Sequence, residues 1–163
     1  MTITYREPRL SDGARIHQMV LRAGTLDVNS AYLYFLLSDH FHATCAIAET
    51  EDRLVGFLTG YRLPDAPGTL FVWQIAVDPD MRGRGVASGL LNALESRDWF
   101  RDIRRIELTI SPDNSASQAL FTRWAKQLDK PIQTQPYLSA ELLGDGHQPE
   151  DTYWIDLDPV GLD

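Results

Sequence analysis

Apolar residues recur at Ile16, Met19, Val20 and Ala23, the spacing of one helix face. Ser11 or Asp12 stands where that helix needs a cap, Gly24 stands where it must stop, and a short strand, Thr4–Glu7, precedes it. A second helix is expected over about Ser30–Phe41, through the aromatic-rich run Tyr32-Leu33-Tyr34-Phe35-Leu36-Leu37, with Tyr34 and Phe35 in the core. The pattern then becomes that of strands. Thr44–Glu49 and Arg53–Tyr61 read as a hairpin around the acidic turn Thr50-Glu51-Asp52, and Thr69–Val77 reads as a long third strand after a break at Pro64–Gly68. A helix to about Arg97 follows, with Ala87, Leu90, Leu91 and Leu94 at helical spacing. Arg104–Ile110 is a strand, and Ser111-Pro112-Asp113 opens a helix to about Leu128 that turns Leu120, Phe121 and Trp124 inward. From Pro131 the chain holds one or two strands, including Thr152–Leu157, around a long loop. This order predicts an α/β domain with a mixed sheet, in which the hairpin is antiparallel and the strand–helix–strand segment is a parallel crossover.

Length agrees with one domain spanning residues 1–163. With 23 acidic against 15 basic residues the net charge is −8, which argues against nucleic acid as a partner and suits a cationic substrate. The same charge also serves simply to keep the protein soluble. Cys45 is the only cysteine, so no internal disulfide can form, and its apolar surroundings Ala43–Ala48 suit a small buried hydrophobe. Met1–Glu7 resembles neither a signal h-region nor a transit peptide, and no apolar run approaches the ~18 residues a membrane helix needs. A cytoplasmic protein is expected. His40 and His42 lack a metal-ligand spacing, so no metal is expected either.

The chemistry concentrates at residues 70–87. Leu70–Val77 is apolar on both faces, as a central strand should be, and it runs through Asp78-Pro79 into Arg82-Gly83-Arg84-Gly85-Val86-Ala87 at the start of a helix. Helix starts carry unpaired N–H groups and about half a positive charge. Gly83 and Gly85 let an anion approach the backbone, while Arg82 and Arg84 add charge. These are the parts of a pyrophosphate site. Neither the dinucleotide-binding Gly-x-Gly-x-x-Gly nor a Lys-Ser/Thr phosphate loop is present, and a tight glycine turn with no ligand is the plain alternative.

Arg82–Ala87 resembles the Gln/Arg-x-x-Gly-x-Gly/Ala signature of the GCN5-related N-acetyltransferases. Asn114–Phe121 is similar to the Asn-x-x-Ala-x-x-Leu-Tyr segment of that family, and Leu54-Val55-Gly56-Phe57 to its third strand. The resemblance implies acetyl-CoA as co-substrate. Backbone groups around Ile75, Ala76 and Val77 would pair with the pantetheine arm, amides of Arg82, Gly83, Arg84, Gly85, Val86 and Ala87 would hold the pyrophosphate, and Asn114 with Ser117 would touch the cofactor. Phe121 departs from the pattern: it stands where the family often has a Tyr that protonates the leaving thiolate. A thiol pKa of about 8.5 allows that thiolate to leave unassisted.

Three further segments, Gly24–Tyr32, Thr69–Gln74 and Gly146–Glu150, resemble the diaminobutyrate acetyltransferases of ectoine biosynthesis. That branch implies a diamino acid substrate, acetylated at N4, and a homodimer. Asp27 and Glu150 would face the ammonium groups, with Asn29 beside them and Trp73 as an apolar or cation–π wall; Tyr32 and His147 would bind the carboxylate or relay a proton. Glu150, Asp27 and His147 are the candidate bases for deprotonating the amine, which attacks the thioester directly because no cysteine suits a covalent intermediate. Asp27 could instead start the following helix, Trp73 could be plain packing and His147 a surface residue. Arg101, Arg104 and Arg105 form either a solvated face or a contact to the cofactor's ribose phosphate. Two rivals remain open: another amine, or a non-catalytic acyl-CoA-binding module, which the loss of Tyr at Phe121 would favour.

Overall fold

The computed structural model describes residues 1–51, 53–144 and 146–158. Asp52, in the predicted acidic turn, and Asp145, in the long loop predicted after Pro131, lie outside them. The strands are β1 (Thr4–Arg6), β2 (Ala46–Glu49), β3 (Leu54–Leu63), β4 (Ala66–Val77), β5 (Arg105–Ile110), β6 (Gln133–Leu138) and β7 (Glu150–Asp156). The helices are α1 (Gly13–Ala23), α2 (Ala31–His40), α3 (Val86–Glu95), α4 (Ser115–Gln127) and the short α5 (Ala140–Leu143). The strands pair in the order β1-β2-β3-β4-β5-β7-β6, with β4–β5 parallel and β1–β2, β2–β3, β5–β7 and β7–β6 antiparallel. The expected mixed α/β sheet is therefore present.

Two compact units make up the chain. The first comprises Met1–Tyr61 with Val72–Phe100. Its core gathers Ile16, Met19 and Val20 of α1, Tyr34 and Leu37 of α2, and Ile47, Phe57 and Ala76 of the strands. Tyr34 packs edge-on against Phe57 with ring centroids 6.1 Å apart, so of the aromatic run of α2 it is Tyr34 that faces the strands, while Phe35, expected in the core, is only half-buried. Gly56 of β3 fixes the seat of α3: a Cβ there would lie 2.9 Å from Val86 Cγ1 and 3.3 Å from Leu90 Cδ1. Only glycine lets the first turn of α3 lie this close to β3.

Asp12, expected as a helix cap, stands at the N-cap position of α1, but its side chain has a different task. Its side chain makes no cap hydrogen bond to α1; its carboxylate accepts from the Arg9 N–H at 2.7 Å and pairs with Arg6 and Arg15, both at 2.9 Å. Glu49 closes the network through Arg6 at 2.7 Å and Arg15 at 3.2 Å. Burial opposes the charge on Asp12, but the hydrogen bonds from Arg6 and the Arg9 N–H outweigh it, and its pKa falls below the usual carboxylate range. The Arg6 hydrogen bond likewise depresses Glu49. Depressed carboxylates contribute stability above their unfolded pKa of about 4 and lose it as pH falls through the lower folded value. Asp12→Asn is thus expected to cost about 1–2 kcal/mol at pH 7, allowing for solvent around Arg15, with the gap to wild type closing below about pH 4. Thermal unfolding of both proteins between pH 7 and pH 3 tests this; a gap independent of pH would assign the loss to packing.

The second unit comprises Arg62–Phe71 with Arg101–Asp163. Here Ile106, Leu108 and Ile110 of β5 alternate inward, as do Leu120, Phe121 and Trp124 of α4 at helical spacing. Helix α4 starts at Ser115 and not at Ser111, because Asn114 is its cap. The predicted break at Pro64–Gly68 is only the turn Pro64-Asp65, with β4 already under way at Ala66. The parallel ladder of β4 with β5 covers Thr69–Phe71 and Arg105–Glu107, and β4 continues past its end to Val77.

Candidate active site

Strand β4 delivers the chain into the loop. Along it Leu70, Val72, Gln74 and Ala76 are buried while Trp73 is 42 % exposed, so Trp73 is not plain core packing. Ile75 and Val77 share the less buried face with Trp73. Because Val72–Val77 runs beyond the β5 ladder, the backbone of Ile75, Ala76 and Val77 lies in the part of β4 past that pairing.

Next comes an anchored turn. Asp78, only 3 % exposed, accepts from the Asp80 N–H at 3.2 Å, and Pro79 occupies the first position of the short 3-10 turn Pro79–Met81. Two guanidiniums hold the Asp78 carboxylate: Arg22 of α1 at 3.3 Å and Arg53 at 3.2 Å, and Arg53 also reaches Asp80 at 3.3 Å. The Asp78 N–H donates to the Val55 carbonyl at 2.8 Å. These ties to α1 and β3 fix the entry to the loop.

The loop itself keeps the geometry that an anion site requires. Gly83 and Gly85 have φ of +76° and +79°, in the left-handed region, and a Cβ on either would meet nothing within 4 Å. Gly85 is the N-cap of α3 and no side chain caps that helix. The N–H groups of its first turn have no partner within the helix. Arg82, Gly83, Arg84 and Gly85 are exposed, Val86 is buried on Gly56, and Ala87 is half-buried. The arrangement fits a pyrophosphate, because the donors are backbone groups in open space and the helix start favours negative charge. Arg82 differs from the expectation that it simply adds charge: its Nη2 donates to the Ala23 carbonyl of α1 at 3.1 Å.

Gly24, at φ +66°, ends α1 and turns the chain into the irregular segment from Thr25 to Ser30. Asp27 is exposed, and its carbonyl accepts from Asn29 Nδ2 at 3.4 Å. The N-cap of α2 is Ser30, so Asp27 does not start that helix. Tyr32, in the first turn of α2, is 70 % exposed, whereas Tyr34 two residues on is fully buried.

The remaining predicted residues lie in the second unit. Asn114 Oδ1 accepts the Ser117 N–H at 3.2 Å as the cap of α4, which leaves Asn114 Nδ2 as its donor group. His147 is half-buried with Nδ1 2.7 Å from the Gln148 carbonyl, and Glu150 opens β7 opposite Leu138. Phe121 is buried beside Trp124, ring centroids 6.4 Å apart. Of the arginine cluster, Arg105 pairs with Asp156 at 2.8 Å and lies over the Trp154 ring. Cys45 is buried, and burial pushes its thiol up to about 11, away from the thiolate that a nucleophile needs. Among the described residues no group of three or more His, Cys, Asp or Glu could hold a metal.

The acetyltransferase (GNAT) family model matches residues 14–125. The chain belongs to that family. Among its relatives within the family, the L-2,4-diaminobutyric acid acetyltransferase of Chromohalobacter salexigens is 43 % identical over 150 residues, 91 % of this chain and 78 % of that protein. The enzyme of the same name from Methylotuvimicrobium alcaliphilum is 47 % identical over 130 residues, 80 % of this chain and 76 % of its own length. A solved structure, diaminobutyrate acetyltransferase EctA from Paenibacillus lautus in complex with its substrate L-2,4-diaminobutyric acid and coenzyme A, superposes with a TM-score of 0.92 at 39 % identity, covering 99 % of this chain and 98 % of that one. Ard1 from Thermoplasma volcanium, at 19 % identity and TM-score 0.74, shares the fold.

The residues that sequence reasoning missed are Arg22, Arg53, Asp78 and Asp80, which brace the GNAT loop. Asp78-Pro79 was a readable signal for a capped turn. The arginines carried none, since they lie 56 and 25 residues from Asp78.

Proposed function

We propose that this chain is an acetyl-CoA-dependent N-acetyltransferase that converts L-2,4-diaminobutyrate to N4-acetyl-L-2,4-diaminobutyrate, a step of ectoine biosynthesis. The observation that carries the reading is the likeness, over 99 % of the chain, to a structure holding that diamino acid and coenzyme A. The glycine loop supports the acetyl-CoA half of it.

Acetyl-CoA supplies the thioester, and the chain's own groups do the rest. Amides from Arg82 to Ala87 bind the pyrophosphate, with Arg84 adding charge. The backbone at Ile75, Ala76 and Val77 takes up the pantetheine as an added strand would, and Asn114 and Ser117 contact the cofactor. Asp27, Asn29, Tyr32, Trp73, His147 and Glu150 bind the amine and its carboxylate. One of Glu150, Asp27 or His147 removes a proton from the ammonium, directly or through water. The freed nitrogen then attacks the thioester carbon, the C–S bond breaks and CoA departs as thiolate, while the nitrogen gives up its second proton, which water carries to the thiolate. Phe121 cannot protonate that thiolate, and its burial agrees with a packing role.

Turnover measured as thiol release with L-2,4-diaminobutyrate, spermidine and a peptide amine tests the reading. Rapid release with the diamino acid alone, and an N4-acetyl product by NMR, is the expected result; tight CoA binding without turnover of any amine would sink it. We further propose that the chain acts as one catalytic domain, since the family match crosses both units. A cytoplasmic homodimer completes the reading. The dimer's support is the exposed β6 at the end of the strand order, with Tyr137 outward.

A further inference from the structure

The last carbonyls of a helix have no partner within it and sit at the negative end of its dipole. At the end of α1 the Arg82 guanidinium meets that need, and a second guanidinium, that of Arg22, ties α1 to the same loop from the helix side. Arg82, the first residue of the loop signature, donates Nη2 to the Ala23 carbonyl at 3.1 Å, and Arg22 of α1 pairs with the buried Asp78 at 3.3 Å. Ala23 is followed by Gly24 at φ +66° and by the irregular segment Thr25–Ser30, which carries Asp27 and Asn29.

We infer that the Arg82 side chain is a positioning residue that couples the two substrates: when the pyrophosphate fixes the Arg82 backbone, its guanidinium holds the end of α1 and so sets the segment Thr25–Ser30 for the amine. The inference rests on that segment being the amine site. Coupling of this kind is reciprocal, so CoA tightens the amine by the factor by which the amine tightens CoA. The order also makes physical sense. An amine site assembled after the thioester is seated keeps the diamino acid from occupying an unproductive pocket, a use of binding energy to complete the site.

The test uses Arg82→Gln, which keeps every backbone amide, satisfies the Gln/Arg position of the signature and is too short to span the same gap. Calorimetry gives the affinity for L-2,4-diaminobutyrate with and without CoA, which cannot transfer an acetyl group. Wild type is expected to show coupling of about fivefold or more, within the ordinary range for linked sites, and Arg82→Gln about twofold or less, a loss larger than the fall in its affinity for CoA alone. Arg82→Lys, long enough and still a donor, is expected to recover part of the coupling. Amide exchange adds a readout independent of the amine: CoA alone slows exchange across Thr25–Ser30 in wild type and fails to do so in Arg82→Gln. Wild-type coupling retained in Arg82→Gln overturns the inference, as does a large loss of CoA affinity itself, which would put the side chain on the cofactor. A wild-type protein that binds CoA but no diaminobutyrate counts against the proposed substrate, and the exchange result then decides the tie by itself.

Discussion

Asp27→Asn is expected to lower kcat/KM for L-2,4-diaminobutyrate about ten- to a hundredfold while leaving the Kd for CoA within about twofold. The size follows from the chemistry of the pair: a hydrogen bond to a charged group is worth about 1.5–3 kcal/mol, and each 1.4 kcal/mol is a factor of ten. The selectivity follows from position. Asp27 lies in the irregular segment after α1, is exposed, and does not cap α2, whose cap is Ser30. A polar swap at an exposed loop position usually shifts stability by about 0.5 kcal/mol, and the melting temperature of the variant separates lost activity from unfolding. Glu150→Gln, at the start of β7, separates the two carboxylates. If Glu150 is the base, kcat falls and the acidic limb of the pH–rate profile disappears; if it only binds the amine, KM rises and the limb stays. Equal losses of amine use and CoA affinity in either variant would contradict the assignment and point to folding.

What could be read from the chain beforehand depended on how local the cause was. The glycine loop was legible because its conformation is written in the residues themselves: Gly83 and Gly85 adopt positive φ where the signature places them. Helix α1 was legible from its spacing, and β4 from its apolar run. Strand β6 was not. Gln133–Leu138 is polar and mostly exposed, and its place is set by backbone pairing with β7, which leaves no pattern in side chains. Pro67 disguised the start of β4, since proline usually marks a strand's absence; here its carbonyl accepts from Arg62 at 3.5 Å within the β3–β4 hairpin. The misreading of Asp12 and of Arg82 has one cause. Each side chain takes a partner that its own position does not announce: Asp12 binds Arg6, the Arg9 N–H and Arg15 and leaves the amides of α1 alone, and Arg82 reaches Ala23 across 59 residues. Charge predicted that these residues would matter, and only the fold could say to what.

Gly85→Val is expected to weaken CoA binding at least tenfold and to lower stability by about 1–2 kcal/mol. Two separable effects contribute. The first is conformational: Gly85 caps α3 at φ +79°, ψ +13°, and an L-residue there costs about 1–2 kcal/mol, more when the side chain is β-branched. The second concerns space. A Cβ at Gly85 meets nothing within 4 Å, so the free protein tolerates the added bulk, but that bulk stands where an anion must approach the amides of the first turn. Gly85→Asn distinguishes them, because asparagine adopts the left-handed conformation with little strain and is itself a good helix cap. Strain alone predicts that Asn restores both melting temperature and CoA affinity. Obstruction predicts a near-normal melting temperature with CoA affinity still reduced, and the open space above the loop makes this the expected outcome. The two measurements, thermal unfolding without ligand and calorimetric titration with CoA, are independent. A Gly85→Val protein that binds CoA as tightly as wild type would remove Gly85 from the cofactor site, and with it the reason why this helix start is left uncapped.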